Sequence, residues 1–357
     1  MEKILSAFKL NGEPISCKVF GHGHINKTYK VVTDQGSEYV LQQINQFVFK
    51  NPVQVMENAK AITSYIRKRT TDPRGALHFL STKDGKCIYR DEAGEYWRMY
   101  DFVGGFCLDA PESEEDFYQS ALAFGRFQDA LSDFPADTLH VTIPEFHNTI
   151  DRYRLFKEKL AEDPHGRAAS AQPEIDFIMA REEMAGTLQR MLEAGELPLR
   201  VTHNDTKLNN VLLDKKTRKS LCVLDLDTVM PGLSLYDFGD SIRFGAATAA
   251  EDEPDTSKMG IDLHLYEVYT RGYIEACPSL TERELEMLPM GAKIITLELA
   301  VRFLTDYLDG DRYFGTKYAE HNLVRTRAQL KLVADMEAKW DEMNAIVTKV
   351  CRDMQGD

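Results

Sequence analysis

The sequence has little that would place the protein in a membrane or on nucleic acid. Its most apolar long stretch, 291–308, is interrupted by Lys293, Glu298 and Arg302, and no apolar run approaches the length of a membrane span. The first residues lack the charged-then-apolar order of a signal peptide. Basic residues are in the minority, with 43 Lys and Arg against 57 Asp and Glu and a formal net charge of −14. Neither nucleic acid nor an anionic membrane is therefore expected as the main partner.

Cysteines are few and dispersed. The six show no C-x-x-C pair and no tight cluster with histidine, and they stand at positions 17, 87, 107, 222, 277 and 351. This pattern predicts reduced structural thiols and a cytoplasmic location. Internal repeats and low-complexity linkers are also missing. A chain of 357 residues with 43% apolar content can bury a large core, so we expect a soluble protein of two lobes without an obligate protein partner.

The most informative stretch is 201–214, which reads Val-Thr-His-Asn-Asp-Thr-Lys-Leu-Asn-Asn-Val-Leu-Leu-Asp. It contains His203-x-Asp205-x-x-x-x-Asn210, the spacing with which kinase-type enzymes hold a base and a metal ligand in one loop. Asp225 follows at the end of an apolar strand, where a second metal ligand is expected. The alternative is that His203 and Asp205 only cap a turn. Because the two pieces occur in register, the catalytic interpretation is favoured.

The chemistry of phosphoryl transfer calls for these residue types. A carboxylate must accept a hydroxyl proton, and hard oxygen ligands must hold Mg²⁺ against the phosphates. Asp205 suits the first role, and Asn210 with Asp225 suits the second. Lys207, two residues after the predicted base, places an ammonium group where it can meet the transferring phosphoryl group.

The N-terminal region has the period of strands at 15–20, 27–33 and 38–44. Between the first two lies a loop in which Gly21 and Gly23 would let the backbone approach phosphates closely, although a plain hairpin turn fits the same residues. A second hairpin at 86–90 and 95–103 ends at Gly104-Gly105. We predict a hinge there, with the strand end around Tyr100 and Phe102 facing the adenine; an ordinary loop after an edge strand is the alternative.

From Ser113 onward the period is mainly helical, at 113–132, 150–162, 173–195, 262–276, 281–308 and 323–354. The predicted fold class is therefore α+β, with a small N-terminal lobe over 1–103 built on an antiparallel sheet and a larger, mainly helical lobe over 104–357. Within the second lobe, Asp237 and Asp240 are predicted to brace the catalytic loop. Arg302 and Asp306 are spaced as a helix-surface ion pair, but Arg302 lies in an apolar run, where an arginine must either snorkel or bind a specific group.

These motifs resemble the aminoglycoside phosphotransferase/choline kinase-like enzymes, a branch of the protein kinase-like fold. The resemblance is carried by His203-x-Asp205-x-x-x-x-Asn210 and Asp225-x-Asp227. Within that family the chain is most similar to the branch that acts on N-acetylhexosamines. The segments that carry this closer likeness are Gly23-His-Ile-Asn26, Tyr39-Val-Leu-Gln-Gln43, the stretch 201–210, Tyr236-Asp-Phe-Gly-Asp-Ser-Ile-Arg-Phe-Gly245, Arg302-Phe-Leu and 317–327.

The resemblance implies a bilobal kinase that uses ATP to phosphorylate the anomeric hydroxyl of N-acetylglucosamine or N-acetylgalactosamine. Asp205 would be the base, and Mg²⁺ would be held by Asn210 and Asp225, with Asp227 assisting. The positions that match sugar contacts are His24, Asn26, Arg302 and Tyr313. Competing functions are a kinase of another free sugar, an aminoglycoside or choline, and a non-catalytic ATP-binding regulatory protein.

One position departs from the kinase pattern. The third strand of the small lobe usually carries a lysine that contacts the α- and β-phosphates, whereas this chain has Gln42 at the corresponding nucleotide-facing position. We expect backbone amides of 21–26, Mg²⁺ and Lys207 to contact the phosphates instead.

Overall fold

A computed structural model describes residues 1–21 and 26–355. Its strands are β1 Pro14–Val19, β2 Lys27–Thr33, β3 Glu38–Gln43, β4 Tyr89–Arg90, β5 Tyr96–Asp101, β6 Arg200–Thr202, β7 Val211–Leu213, β8 Ser220–Val223 and β9 Met230–Gly232. Its α-helices are α1 Glu2–Ser6, α2 Pro52–Arg67, α3 Glu114–Ala130, α4 Thr149–Glu162, α5 Gln172–Met179, α6 Glu182–Ala185, α7 Thr187–Glu193, α8 Ser234–Gly245, α9 Leu263–Ala276, α10 Glu282–Leu308, α11 His321–Ala338 and α12 Trp340–Gln355.

The chain divides into two compact units. The first unit consists of Met1–Cys107, Asp133–Pro144 and Asn210–Pro231. The second consists of Leu108–Ser132, Glu145–Asn209 and Gly232–Asp357. The predicted lobes 1–103 and 104–357 stay a prediction.

The first unit is built on an antiparallel sheet of five strands in the order β1-β2-β3-β5-β4. Its core includes Val31, Leu41 and Met99, which are fully buried. A β7–β8 hairpin belongs to the same unit, with Val211 opposite Val223. Gly105 packs against this hairpin so closely that an added Cβ would lie 2.7 Å from the Leu213 carbonyl oxygen.

The second unit is organised around α10, a helix of 27 residues that begins with a capping box at Thr281 and Glu284. Most of its side chains are buried, because α4, α8 and α11 all pack against it. The residues of α10 in the largest described core of this unit are Leu297, Ala300, Val301, Leu304, Tyr307 and Leu308.

The predicted fold class is confirmed: an antiparallel sheet lies in the N-terminal region and the remainder is mostly helical. The prediction of one helix over 173–195 is wrong, because the chain leaves helical geometry at Arg181, with φ −115° and ψ 7°, and three short helices result. The helix predicted over 323–354 is likewise two helices, which meet at Lys339. Within 1–21 and 26–355, no helix is both long and apolar enough to cross a membrane.

Candidate active site

The predicted site residues fall into both units. The second unit contains Asp205, Lys207, Arg302 and Tyr313. The first contains Gly21, Asn26, Gln42, Tyr100, Phe102, Asn210, Asp225 and Asp227. Gly23 and His24 lie outside the described residues, so their predicted roles stay predictions. The division passes between Asn209 and Asn210, and therefore through the His203-to-Asn210 motif itself.

In the second unit, two carboxylates of α8 hold the loop that carries Asp205. The Asp237 side chain accepts hydrogen bonds from the backbone N–H groups of His203 and Asn204, both at 2.8 Å. Asp240 accepts a hydrogen bond from the Thr206 N–H at 3.2 Å. The predicted bracing of this loop by Asp237 and Asp240 is confirmed. Because Asp237 is fully buried, its loss would leave two backbone donors without their acceptor.

Asp205 and Lys207 form an ion pair with 2.8 Å between the carboxylate oxygen and the ammonium nitrogen. Their side chains are 27% and 36% exposed, so both reach solvent. Burial by itself lowers the pKa of Lys207, but the carboxylates of Asp205 and Asp240 outweigh it and the pKa is raised. The lysine is therefore charged at neutral pH, beside the carboxylate predicted to be the base.

Arg302 lies among three aromatic rings. The rings of Phe146, Phe314 and Tyr313 are centred 5.3, 5.5 and 5.9 Å from its guanidinium carbon. Its side chain is 12% exposed, and its ion pair with Glu298 is long, at 3.8 Å. Among the residues that the structure describes, no group accepts a hydrogen bond from Arg302. The guanidinium donors of Arg302 thus have no protein acceptor among the described residues, and because its nitrogens are not fully buried, solvent or a bound ligand can accept hydrogen bonds from them.

The alternative pairing of Arg302 with Asp306 is wrong. The Asp306 carboxylate instead accepts hydrogen bonds from the backbone N–H groups of Arg312, Tyr313 and Phe314, at 2.8 to 2.9 Å. Asp306 thereby fixes the loop that brings Tyr313 beside Arg302. The Tyr313 side chain is 69% exposed, so its ring is open to a ligand.

Three further residues, Glu298, His147 and Arg152, lie around Arg302 and its aromatic neighbours. Glu298 is fully buried and shares a 2.9 Å hydrogen bond with Nδ1 of His147. Burial by itself raises the pKa of Glu298, but His147 and Arg302 outweigh it and the pKa is lowered. Arg152 donates through Nη2 to the Phe146 carbonyl oxygen at 2.7 Å, while its buried Nε has no hydrogen-bonding partner among the described residues. The pKa of Arg152 is lowered, by burial first and then by the charge of Arg302.

In the first unit, the predicted metal ligands Asn210 and Asp225 lie at one end of the β7–β8 hairpin. The carbonyl oxygen of Asn210 accepts a hydrogen bond from the Leu224 N–H at 2.7 Å, directly before Asp225. Asp225 has left-handed backbone geometry, with φ 52° and ψ 64°. Among the described residues, no group of three or more His, Cys, Asp and Glu side chains is arranged to hold a metal ion. One carboxylate and one amide oxygen nevertheless fit Mg²⁺, which is commonly held by one or two carboxylates together with substrate phosphates.

Asp227, predicted to assist with the metal, already has partners for both carboxylate oxygens. Arg98 binds the two oxygens together, and Nδ2 of Asn26 donates to Oδ2 at 2.7 Å. The Asn26 amide oxygen accepts from the Asn45 N–H at 2.9 Å. Asn26, predicted to contact the sugar, therefore uses both ends of its side chain inside the first unit. The metal role of Asp227 and the sugar role of Asn26 stay predictions.

The described nucleotide-contacting candidates, Gly21, Gln42, Tyr100 and Phe102, lie in or beside the five-stranded sheet. Gly21 has φ 78°, a conformation that favours glycine. Tyr100 lies on β5 opposite Val40, and the Phe102 N–H donates to the Glu38 carbonyl oxygen at 3.0 Å. Any contact of Phe102 with an adenine edge would therefore use its carbonyl oxygen. These roles remain predictions.

Comparison with known proteins identifies the family. The family model described as "Phosphotransferase enzyme family" (APH) matches residues 16–270. The chain belongs to the phosphotransferase enzyme family. The predicted resemblance to aminoglycoside phosphotransferases and choline kinases is confirmed at this level.

Solved structures similar to this phosphotransferase share its fold along almost the whole chain. A microcompartment-associated aminopropanol kinase has a TM-score of 0.65 at 18% identity, over 96% of this chain and 97% of its own. An aminoglycoside phosphotransferase from Alicyclobacillus acidocaldarius has a TM-score of 0.65 at 12% identity, over 98% and 96%. A choline kinase from Cryptosporidium parvum has a TM-score of 0.54 at 13% identity, over 94% and 92%. At these identities the likeness shows the fold, and it confirms the predicted protein kinase-like architecture.

Sequence reasoning missed several residues of this phosphotransferase that the structure makes prominent. Glu298 is one of them. It lies four residues before Arg302 in an apolar helix, and this spacing of two opposite charges could have indicated that they pair. Arg98 lies between Trp97 and Met99 in a strand segment whose three side chains are all buried, which is unusual for arginine. His147 lies in an irregular segment and offered no comparable signal.

Proposed function

We propose that this phosphotransferase transfers the γ-phosphoryl group of ATP to the C1 hydroxyl of free N-acetylhexosamines, N-acetylglucosamine and N-acetylgalactosamine, giving the sugar 1-phosphate and ADP. Asp205 accepts the proton of the attacking hydroxyl. Lys207, charged and 2.8 Å from Asp205, is released to the phosphoryl group as that proton is taken up. Asn210 and Asp225 hold Mg²⁺, which neutralises phosphate charge when it is bound.

The observation that carries the choice of acceptor is Arg302, whose donors have no protein acceptor among the described residues and which lies beside the Tyr313 ring. Its donors call for oxygen acceptors, which the hydroxyl and acetamido groups of an N-acetyl sugar provide. Tyr313 offers an exposed ring beside it for the apolar face of a pyranose. Arg302 thus supplies charged hydrogen-bond donors and Tyr313 supplies an aromatic surface. This combination is expected of a pocket that distinguishes the hydroxyl groups of sugars.

The same cluster argues against cationic acceptors. Several similar structures are kinases whose names specify aminopropanol, ethanolamine or choline, which are amines or a quaternary ammonium compound. A cation placed beside Arg302 would meet its guanidinium charge, and Arg152, which donates to the carbonyl oxygen of the same Phe146 whose ring Arg302 faces, adds a second positive charge to this region. Glu298 supplies one buried negative charge, but it is already shared with His147. A neutral, oxygen-rich acceptor avoids this repulsion.

The test is ADP release from Mg-ATP with a panel of acceptors. The panel contains N-acetylglucosamine, N-acetylgalactosamine, their 1-O-methyl glycosides, glucose, galactose, kanamycin and choline. We expect turnover with the free N-acetyl sugars only, none with the methyl glycosides, and a loss of roughly 10²- to 10⁴-fold in Asp205→Asn. Asp341→Asn, which changes an exposed aspartate on α12, is the matched control and should behave as wild type.

The alternative outcomes separate the competing functions. Turnover of the methyl glycosides would move the phosphorylated hydroxyl away from C1. Turnover of kanamycin or choline, with the N-acetyl sugars inactive, would exclude the sugar assignment. ATP binding without turnover of any acceptor would favour the alternative of a non-catalytic ATP-binding regulatory protein.

A further inference from the structure

The strand position at which kinases carry a phosphate-binding lysine holds Gln42, and an arginine stands directly opposite it. In the pairing of β3 with β5, Gln42 is the partner of Arg98. The Arg98 Nε–H donates to Oε1 of Gln42 at 2.8 Å, and Nε2 of Gln42 donates to Oγ1 of Thr28 at 3.1 Å. The side-chain amide of Gln42 is thus hydrogen-bonded through both its oxygen and its nitrogen. These two bonds fix the orientation in which the oxygen accepts from Arg98.

Arg98 is too enclosed to contact a phosphate, and its charge is already paired. Its side chain is 3% exposed, and its two terminal nitrogens bind the carboxylate of Asp227, which is 2% exposed. Burial by itself lowers the pKa of Arg98, but the Asp227 carboxylate outweighs it and the pKa is raised. A charged, bidentate and almost fully enclosed pair therefore joins the middle of the sheet to the segment that follows Asp225.

This pair acts on the segment that carries the predicted metal ligand. Asp227 belongs to a 3₁₀ turn, Leu226–Thr228, which begins immediately after Asp225. Asn26, at the end of the loop that precedes β2, also donates to Asp227. Asp227 therefore receives hydrogen bonds from the sheet and from the loop region, and both of its oxygens are used in this way.

We propose that the Arg98–Asp227 pair, oriented by Gln42, takes over the positioning role of the missing strand lysine. The cation has moved one strand across the sheet, from β3 to β5. There it holds the 226–228 turn, sets the direction of the Asp225 carboxylate toward the metal, and keeps Asp227 out of the metal's coordination. Arg98 is a positioning residue that acts through Asp227, and Gln42 is glutamine because a lysine at that position would place a second cation against Arg98.

This inference rests on the metal-dependent phosphoryl transfer proposed above but not on the identity of the acceptor. The test therefore uses no acceptor at all. Free Mn²⁺ is titrated by electron paramagnetic resonance in the presence of the full-length protein and a non-hydrolysable ATP analogue, and the affinity for the analogue is measured by calorimetry. A wrong sugar assignment would leave these measurements unchanged.

The decisive variant is Arg98→Met/Asp227→Leu, which replaces the buried pair with apolar side chains of similar size and should retain the fold, as thermal unfolding would verify. We expect Mn²⁺ affinity to fall by roughly 10- to 100-fold, the usual effect of losing a group that orients a metal ligand. Native affinity in this folded variant would overturn the proposal.

Two further variants distinguish the proposal from a direct metal role of Asp227. If Asp227 were itself a ligand, the single variant Arg98→Met would release its carboxylate and Mn²⁺ would bind more tightly. We expect weaker binding instead. The variant Arg98→Gln/Gln42→Lys returns the cation to β3. We expect its Mn²⁺ affinity to recover to within about threefold of wild type, because a group that orients a metal ligand without touching the metal acts through its charge and position. Tighter binding in the first variant, or no recovery in the second, would contradict the proposal.

Discussion

At the scale of single residues, a distinctive feature of this phosphotransferase is an arginine whose donors have no protein hydrogen-bond acceptor within the described part of the chain. Arg302 has only a long ion pair with Glu298, at 3.8 Å, and its side chain is 12% exposed. A ligand with oxygen acceptors would therefore find its donors available. Arginine and lysine are not interchangeable in this role, because only the planar guanidinium can bind two acceptors at a fixed spacing.

Removing this group should weaken acceptor binding. For Arg302→Gln we expect the KM for N-acetylglucosamine to rise by roughly 10- to 150-fold, which corresponds to about 1.5–3 kcal/mol for a hydrogen bond to a charged group, while the KM for ATP stays within about twofold of wild type. Steady-state kinetics with each substrate varied in turn would measure both values. Arg312→Gln is the matched control, because that side chain is 68% exposed on the neighbouring loop. Equal effects of the two substitutions would exclude a specific role of Arg302.

The ion pair of Asp205 and Lys207 leads to a second prediction. If Lys207 contacts the transferring phosphoryl group, Lys207→Ala should lower kcat by roughly 100-fold with a much smaller change in KM, since the contact forms only as charge develops on the phosphate. Single-turnover measurements would separate this chemical step from product release. Lys215→Ala, at an exposed position of the turn between β7 and β8, should leave kcat unchanged. Near-normal turnover in Lys207→Ala would exclude the role.

At the scale of secondary-structure elements, the predicted active-site groups of the second unit depend on the close approach of two helices. Helix α8 carries Asp237 and Asp240, which hold the catalytic loop, and α10 carries Glu298 and Arg302. The two helices meet at glycines: a Cβ added to Gly239 would lie 2.5 Å from the Gly291 carbonyl oxygen. Because backbone meets backbone there, no side-chain rotation can relieve the overlap.

Enlarging this contact should separate the helices. For Gly239→Ala we expect the free energy of unfolding to fall by about 1–3 kcal/mol, as in other overpacked cores. We also expect kcat to fall, because α8 moves together with the carboxylates that hold the Asp205 loop. Urea-induced unfolding and steady-state kinetics would measure the two effects. Gly315→Ala in the same unit, where an added Cβ would meet nothing within 4 Å, should be neutral in both. Equal stability of the two variants would mean that the helices do not need the glycine.

At the scale of the whole molecule, acidity affects stability through buried carboxylates. The native pKa of Glu298 lies below its usual value of 4.5, so ionised Glu298 stabilises the folded state above that pH. This contribution is fully present at neutral pH. It is lost as the pH falls from about 4.5 through the native pKa, because the protonated acid no longer pairs with His147 and Arg302.

Glu298→Gln should reveal this dependence. We expect the substitution to lower the free energy of unfolding by about 3 kcal/mol at pH 7, as when one partner of a buried pair is removed. The difference from wild type should shrink as the pH falls below 4.5. Urea-induced unfolding between pH 7 and pH 4 would measure it, with Glu342→Gln, at an exposed position of α12, as the control. A difference that stays constant with pH would contradict the assignment of ionised Glu298 as the stabilising form.

The sequence by itself determined the fold class, the family and the central motif. Strand and helix periods depend on residues close together in the chain, and they were sufficient for the antiparallel sheet, for α10 and for the bracing carboxylates of α8. The spacing from His203 to Asn210 and the position of Asp225 are also local, which is why Asp205, Asn210 and Asp225 could be proposed without coordinates. Local patterns failed at Arg181 and Lys339, where the backbone leaves helical geometry although the apolar periodicity continues.

Only the tertiary structure decided which groups are paired. Arg98 meets Asp227 across 129 positions, and His147 meets Glu298 across 151. Neither pairing can be predicted from sequence periodicity, because each pairing depends on how the sheet, the loops and the helices pack together. The packing also decided that the Asp306 carboxylate accepts hydrogen bonds from three backbone N–H groups instead of pairing with Arg302. The sequence gives the charge of a residue and the hydrogen bonds that it can form. Which ion-pair or hydrogen-bond partners it has depends on residues that become its neighbours only when the chain folds.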